Sequence, residues 1–320
     1  MISSRRLSVL AGFLAVGLAL IPPQHAGAQD QREIDIIAQI GQETIAQRRA
    51  EAAAAEEAAH QARLEEQSRL RAVYQQYLGD ARRAAQKAIN IKRKAASSDQ
   101  VDALRRQARV VIDEVDDATK QRVRNELDPL FEKLEAAISL TPDELLESDA
   151  ELAALRKRVA PGAGNDIDWV DKAAILYALC PDDNAAKVIA ANIPLREKLS
   201  ADEAQAIDEC NYRRLLLGLN PLAIDMKLVE CSRDHSKDMV TLGFFAHNSP
   251  VEGKETPWKR AENFGTKASG ENIAAGYNNG NAVTMGWWYS PGHLKNMMGR
   301  GHNRIGVGQE KQHYTQMFGR

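Results

Sequence analysis

The sequence predicts an α+β protein in two parts, an all-α N-terminal region followed by a C-terminal region of mixed helices and short strands. The first observation is the distribution of glycine: only two of the 21 glycines lie between residues 29 and 160, whereas fourteen lie between residues 218 and 319. The second is that all four tryptophans and five of the seven histidines lie beyond residue 168. Because glycine disfavours helices and aromatic side chains dominate cores, we expect the two regions to be built differently.

Composition excludes several classes of protein. The chain has 320 residues, with 42 Lys and Arg against 44 Asp and Glu, and a net charge of −2. A near-neutral balance argues against a protein that binds nucleic acid or a membrane surface through its overall charge, because both need a basic field. A charged share of 27% beside a hydrophobic share of 44% argues against disorder of the whole chain.

Residues 1–28 have the layout of a secretory signal peptide. Arg5 and Arg6 precede an apolar run at residues 7–21, and the small residues of Ala26-Gly27-Ala28 form a cleavage site. The run is shorter than the roughly 20 residues of a membrane span. We therefore expect cleavage, no transmembrane span in the mature protein, and an extracellular, periplasmic or cell-surface location. An uncleaved membrane anchor is the alternative.

Residues 29–160 are predicted to be helical, because they are rich in Ala, Glu, Gln and Arg and nearly free of glycine. Six residues spaced by three and four form a heptad seam of under three heptads: Val101, Leu104, Ala108, Val111, Val115 and Ala118. Two arrangements stay open, a helical hairpin or bundle and an extended, partly coiled-coil-like region. The second would allow self-association through the N-terminal helices.

Helix starts divide the chain further. A helix is expected at Asp128-Pro129, and capping boxes are expected at Thr141 with Glu144 and at Ser200 with Glu203. The helix that begins near Ser200 is expected to end at a glycine cap, Gly218. The Pro- and Gly-containing residues 161–165 predict a break. The expected organisation is a signal peptide at 1–28, a helical region at 29–160, a linker with short helices at 161–200 and a C-terminal domain at 201–320.

Two features of the sequence, a basic stretch and three cysteines, can each be interpreted in two ways. The stretch has no acidic residue between residues 81 and 98, and it is either a contact to an anionic cell-surface polymer or lipid headgroup or a solvated helix face; its members are Arg82, Arg83, Lys87, Lys92, Arg93 and Lys94. Export permits disulfides, and both Cys180–Cys210 and Cys210–Cys231 are conceivable pairs, which leaves one thiol over.

Eight short motifs follow in order along the last third of the chain. They are N-x-x-R at 211–214, N-P-L at 220–222, F-F-A-H at 244–247, P-W-x-R at 257–260, G-E-N-I-A at 270–274, W-x-x-S-P-G-H at 287–293, I-G-V-G at 305–308 and Y-T-Q-M-F-G at 314–319. In this order, residues 204–320 resemble the CAP superfamily of cysteine-rich secretory, antigen and pathogenesis-related proteins, and in particular its bacterial SCP-domain branch. The resemblance does not extend to residues 29–200.

The resemblance implies an α-β-α sandwich whose cleft gathers His247, Glu271 and His293. A second glutamate that many eukaryotic relatives carry is absent, because Pro291 follows Ser290 in the bacterial form of the motif, and Leu294 occupies a position where arginine is common. Two neutral imidazoles and a carboxylate are competent ligands for zinc or another divalent cation. The remaining histidines are expected to be packed or polar residues without a ligand role: His235 on a helix face, and His302 and His313 in loops or strands.

Three functions remain open at this stage. The domain binds a small ligand, a cation, a lipid or a cell-surface component through the His/Glu cleft; or it is a hydrolase or peptidase that uses Glu271, His247 and His293 as acid and base; or it is a non-catalytic structural or adhesion module. No motif places a nucleophile, since Ser290 is expected to cap a helix and Cys231 lies on an apolar helix face. No dinucleotide or phosphate-loop fingerprint is present.

Overall fold

The structure is a computed structural model that describes residues 28–163 and 166–320, so the expected signal peptide lies outside the described residues apart from Ala28. The chain divides into two units, residues 1–68 and residues 69–320. The helices are α1 Ala28–Ala95, α2 Ser98–Glu114, α3 Asp128–Ile138, α4 Pro142–Glu147, α5 Ala150–Ala163, α6 Asp166–Leu179, α7 Asp183–Leu195, α8 Ala201–Leu216, α9 Met226–Leu242, α10 Pro257–Asn263, α11 Gly280–Trp288 and α12 Pro291–Met297. The strands are β1 Ala223–Ile224, β2 Gly270–Ala275, β3 Arg304–Glu310 and β4 His313–Gly319.

The described part of the first unit is the N-terminal stretch of α1. Every side chain described between residues 35 and 68 is exposed to solvent. Pairs four residues apart support the helix, such as Gln39 with Glu43 at 3.1 Å and Gln47 with Glu51 at 3.0 Å. Because alanine has high helix propensity but buries little apolar surface, this stretch forms a helix without a core of its own.

In the second unit, the heptad seam of α2 is used for packing within the chain. Val101, Ala108 and Val111 are buried, and α2 lies against α3 in the core shared by residues 69–320. The helix ends at Glu114, and Val115 has an extended backbone. The helix therefore ends one residue before the fifth member of the seam, Val115, which is nevertheless buried in the same core.

The predicted helix starts at Thr141 and Ser200 are confirmed as full capping boxes. Gly218 has a φ of 74° just beyond α8, which is the glycine cap expected there. The break predicted at residues 161–165 does not begin at Pro161, because α5 continues through Pro161 to Ala163. Proline is tolerated there since it lies in the last turn, where its missing N–H removes a single helical hydrogen bond.

The four strands form one sheet in the order β1-β3-β4-β2, with β1 parallel to β3 and the other pairs antiparallel. Helix α9 packs on β3 and β4, and the glycines of the I-G-V-G motif permit this contact. A Cβ at Gly306 would overlap the backbone carbon of Leu228, and one at Gly308 would overlap the backbone nitrogen of Arg233.

The sheet is covered by helices on both faces. On the side of α9 and α10, Met317 packs with Leu228, Cys231 and Ala261. The other side joins the main core, in which strand residues pack with those of α8, α11 and α12: Ile305, Val307, Tyr314, Phe318, Leu215, Trp287 and Leu294. This arrangement is the α-β-α sandwich expected from the motifs.

Helices of the N-terminal part are joined to this sandwich at the end of α11. Trp288 is fully buried, its ring lies edge-on to Phe131 at 4.8 Å, and its Nε1 donates to Asp128 Oδ1 at 2.7 Å. Tyr289 donates to the other oxygen of Asp128 at 3.0 Å. Residues 69–200 and 201–320 thus share one core instead of forming separate bodies.

The three cysteines all lie within the described residues and are free thiols, so neither predicted disulfide forms here. Cys210 and Cys231 are fully buried, each on a different helix of the sandwich. Within residues 28–163 and 166–320, no helix has the length and apolarity needed to cross a bilayer.

Candidate functional site

Glu271 is the second residue of β2, and its side chain is 3% exposed. Oε1 lies 2.8 Å from Nδ1 of His247, and Oε2 accepts a hydrogen bond from Nη2 of Arg260 at 2.6 Å. Both carboxylate oxygens are therefore engaged by side chains of the chain itself. The structure brings Glu271 and His247 together as the motifs imply.

Arg260 connects two separate parts of the site. It is fully buried in α10, and Nη1 donates to the backbone carbonyl oxygens of His247 and Lys254, each at 3.0 Å. The same guanidinium thus holds the His247 backbone and the Glu271 side chain. The sequence contained Arg260 only as a member of the P-W-x-R motif, whose position between the two site residues along the chain was the available signal for its role.

The hydrogen bond with Glu271 determines which nitrogen of His247 is open. A carboxylate paired with a buried arginine accepts hydrogen bonds, so the neutral form of His247 carries its hydrogen on Nδ1 and has its free electron pair on Nε2. The His247 side chain is 50% exposed, and Nε2 forms no hydrogen bond with any described residue. His247 therefore presents an oriented basic nitrogen to solvent.

His293 lies in the first turn of α12, next to the sheet. Burial lowers the pKa of His293, and positive charge on His247 lowers this pKa further, so the imidazole is neutral near pH 7. Neither ring nitrogen hydrogen-bonds to another residue in the described part of the chain. The two histidines of the motifs are thus close enough to interact electrostatically, and each presents an unused imidazole nitrogen.

Side-chain amides fix β2 against α12. Asn296 Nδ2 donates to the backbone oxygen of Glu271 at 3.1 Å and to Oδ1 of Asn272 at 2.9 Å. Asn272 Nδ2 donates to Gln316 at 2.9 Å and to the backbone oxygen of His293 at 3.2 Å. The network links the backbones of Glu271 and His293, so it sets the separation of these two residues.

The other histidines of the C-terminal region are structural. His235 is fully buried, its Nε2 lies 3.1 Å from the carbonyl oxygen of Ala246, and burial followed by the charge of Arg260 lowers its pKa to about 4. His302 pairs with Ser269 at 2.8 Å and stacks on Phe318, and its pKa is also lowered to about 4, mainly by burial. His313 lies in β4 beside Phe245. These placements agree with the roles expected from the sequence.

The Ser249 hydroxyl takes part in a hydrogen bond, and burial keeps the Cys231 thiol protonated. Ser249 Oγ accepts from the backbone nitrogen of Val251 at 3.2 Å, and burial raises the pKa of the Cys231 thiol to about 12. Ser290 occupies the N-cap position of α12, but its side chain makes no capping hydrogen bond. Ser290 therefore lies at the predicted N-cap position, but the capping hydrogen bond expected of its side chain does not form.

The imidazoles of His247 and His293 are nitrogen donors of the kind that a zinc-like ion accepts. In the described part of the chain, no three His, Cys, Asp or Glu side chains are grouped so as to hold a metal ion. Glu271 is better suited to orient His247 than to act as a ligand, because Arg260 and His247 already use its oxygens. An ion held by two imidazoles would complete its shell with water or a bound molecule.

Comparison with curated proteins identifies bacterial relatives of the C-terminal part. The chain is 36% identical over 124 residues to the uncharacterized protein YkwD of Bacillus subtilis, covering 38% of this chain and 48% of YkwD. It is 33% identical over 119 residues to the uncharacterized membrane protein YlbC of the same organism, covering 37% of this chain and 34% of YlbC. The chain thus spans half or less of the length of these relatives.

Solved structures give two further similarities. An extracellular protein containing an SCP domain from Bacillus anthracis is 35% identical with a TM-score of 0.36, covering 37% of this chain and 40% of that chain. An outer surface protein from Borrelia burgdorferi is 21% identical with a TM-score of 0.32, covering 36% of this chain and 89% of that chain.

The family comparison covers the residues that form the sandwich and the site. Residues 207–318 match the model of the cysteine-rich secretory protein family, CAP. This range includes His247, Arg260, Glu271 and His293 and begins six residues into α8. Residues 207–318 of this chain are a CAP domain of the cysteine-rich secretory protein family.

Proposed function

We propose that the CAP domain binds a divalent cation of the zinc type, or a small ligand through that cation, by means of His247 and His293. The observation that carries the proposal is the 2.8 Å contact between His247 Nδ1 and Glu271 Oε1. A carboxylate that accepts from one imidazole nitrogen fixes the ring and raises the basicity of the other nitrogen, which is the usual arrangement behind a metal-binding histidine.

The neutral state of His293 supports the same proposal. A histidine ligand must be deprotonated, and the lowered pKa of His293 keeps its imidazole neutral at physiological pH without the cost of losing a proton on binding. A bound cation would supply a Lewis acid next to the cleft. The chain contributes the two nitrogens, the orienting carboxylate of Glu271 and the buried guanidinium of Arg260 that pairs with this carboxylate.

We place this activity outside the cytoplasm, in the extracellular medium, in the periplasm or at the cell surface. The signal-peptide pattern of residues 1–28 supports export. The helices of residues 69–200 support the CAP domain by sharing its core. The helical residues 35–68, whose described side chains are all exposed, would serve self-association or attachment to a cell-surface component, since they have no apolar partner among the described residues of their unit.

The test is calorimetric titration of the chelator-treated full chain with zinc chloride. We expect one bound equivalent, loss of binding in His247→Ala and in His293→Ala, and affinity about 10–100-fold weaker in Glu271→Gln. His60→Ala is the matched control, because His60 is exposed on α1. Thermal unfolding shows whether each variant is folded. A wild-type protein that takes up no zinc would falsify the cation proposal.

A hydrolase is the second candidate, favoured by the same oriented imidazole. Nε2 of His247, held by Glu271, is placed to act as a general base towards a water molecule or a substrate hydroxyl in the cleft. The candidate requires turnover of peptide or ester substrates that Glu271→Gln and His247→Ala both abolish. Turnover that survives both substitutions would remove these residues from the reaction.

A further inference from the structure

The basic stretch between Arg82 and Lys94 is largely engaged by the chain itself. Arg83 pairs with Asp80, Lys92 pairs with Glu144 at 2.9 Å, and Arg82 lies 4.8 Å from the ring centroid of Tyr177. Arg93 differs, because its half-buried guanidinium lines a cavity. Arg93 is therefore the residue of this stretch that could contact a ligand in a cavity.

The cavity has a volume of about 250 Å³ and lies where α1, α2, α3, α6 and α8 meet. Arg93 and Arg105 contribute its two basic groups, and Asp102 is its one carboxylate. Most of the remaining wall is apolar: Ala96, Val101, Ile138, Leu179, Pro181 and Leu215. The site thus combines two guanidinium groups with a small apolar surface.

Arg109 lies beside the cavity without lining it, and with Arg109 included the positive charge of this cluster exceeds its negative charge. Arg105 and the neighbouring Arg109 donate to the carbonyls of Leu216 and Leu217 at the end of α8, at 3.1 and 2.9 Å, and Arg93 donates to Leu179 at the end of α6 at 3.1 Å. Each helix end contributes roughly half a negative charge. Together with the carboxylate, the two ends leave about one of the three positive charges uncompensated.

The neighbouring groups reinforce this imbalance. The Asp102 carboxylate is 52% exposed and lies 3.7 Å from Nη1 of Arg105, which is a weak pair. Burial lowers the pKa of Arg105; the Asp102 carboxylate opposes this shift, and the charges of Arg93 and Arg109 add to it. Nε of Arg109 is buried and has no acceptor among the described residues. The cluster would therefore be stabilised by one additional anion.

We propose that this cavity binds a phosphodiester group, with its single negative charge on Arg93 and Arg105 and its alkyl substituents against the apolar wall. A guanidinium donates two parallel hydrogen bonds to a pair of phosphate oxygens, which suits a group approached by two arginines. A phosphodiester carries the single charge that the cluster lacks. The volume lies below the roughly 300–1,000 Å³ of cavities for larger ligands, so it admits the phosphodiester and short substituents only.

Calorimetric titration of the full chain with diethyl phosphate tests the proposal. We expect saturable binding by the wild type and at least about ten-fold weaker binding by Arg93→Gln and by Arg105→Gln. Arg106→Gln is the matched control, since Arg106 is exposed on the same helix and does not line the cavity, and its affinity should equal that of the wild type. Because Arg93 and Arg105 also bond to helix ends, thermal unfolding of each variant accompanies the titration.

Arg105→Lys keeps the charge and removes the paired donors, so it should fold as the wild type and still bind more weakly. Vesicles of phosphatidylglycerol and of phosphatidylcholine distinguish a lipid source of the phosphodiester from a soluble one. If the wild type binds phosphatidylglycerol vesicles and Arg93→Gln does not, the group belongs to a lipid headgroup. Each of three results would overturn the assignment. The first is that diethyl phosphate fails to bind the wild type, and the second is that folded Arg93→Gln and Arg105→Gln variants bind it as the wild type does. The third is that acetate binds as tightly as diethyl phosphate.

Discussion

Arg260 Nη2 lies 2.6 Å from Glu271 Oε2, and the same guanidinium reaches the backbone oxygen of His247 at 3.0 Å. The arginine is fully buried and the carboxylate nearly so. Since a buried ion is costly unless it is paired, removing either residue leaves the other as an uncompensated buried charge and destabilises the domain. The orientation of His247 is therefore built into the core of the domain and does not depend on a surface loop alone.

The first prediction concerns this ion pair. Arg260→Met should lower the free energy of unfolding by about 3–5 kcal/mol, because it leaves the carboxylate of Glu271 buried without its cation. Urea unfolding measures the loss. The control Arg300→Met removes an arginine that is 64% exposed and 3.7 Å from Asp113, so it should cost little. Equal stability of the two variants would contradict the assigned role.

The second prediction is a loss of stability in mild acid. His235 and His302 have pKa values lowered to about 4, against an ordinary value of 6.5, so the unfolded chain binds protons at these sites before the folded chain does. Their contribution to stability is complete above pH 6.5 and is lost as the pH falls from 6.5 to 4, by up to about 1.4 kcal/mol per histidine and pH unit.

Urea unfolding between about pH 7.5 and 4.5, a range that spans the ordinary histidine pKa, tests this dependence. His302→Gln should make the stability less dependent on pH, whereas His60→Gln, on the exposed part of α1, should leave the dependence unchanged. Comparing variants removes the contribution of the carboxylates, which is common to all of them. Identical slopes for wild type and His302→Gln would show that this histidine is not neutral in the fold.

The third prediction concerns the contact between the N-terminal helices and the CAP domain. Asp128→Ala removes the acceptor of both Trp288 Nε1 and the Tyr289 hydroxyl, and the unpaired buried donor should cost about 1–3 kcal/mol. Glu132→Ala, an exposed position one turn later, is the control.

Circular dichroism and tryptophan fluorescence of the wild type should report one midpoint for residues 69–320, and two separate transitions would contradict a shared core.

The fourth prediction tests the close approach of α9 to β3. Gly308→Ala places a Cβ in overlap with the backbone nitrogen of Arg233, so the domain should lose about 1–3 kcal/mol or more through overpacking. Gly292→Ala is the matched control, because a Cβ there has no neighbour within 4 Å. If both variants unfold at the same temperature, the contact does not require glycine.

The sequence predicted the parts of this protein that depend on local chemistry. The capping boxes at Thr141 and Ser200 and the glycine cap at Gly218 follow from hydrogen bonds between residues a few positions apart. The proximity of Glu271 to His247, 24 residues away in sequence, came from motif resemblance, since no local rule brings them together.

What the sequence did not predict depends on packing between distant segments. The sequence alone does not distinguish Arg260 from a surface arginine. Its burial follows only from the position of α10, where Arg260 reaches Glu271 of β2. Asp128 was expected to begin a helix, but the two donors it binds lie 160 and 161 residues away. The short helices expected in the linker at residues 161–200 are present as α6 and α7, but the sequence did not predict that their apolar residues, such as Leu176 and Ile189, belong to the main core.

The burial of two free thiols has a practical consequence. Cys210 and Cys231 lie in the core with pKa values raised to about 12, so an alkylating reagent meets neither thiolate nor accessible sulfur in the folded domain. Modification of either sulfur must wait until the sandwich opens. The labelling rate of these two thiols in native buffer therefore reports how often the sandwich opens.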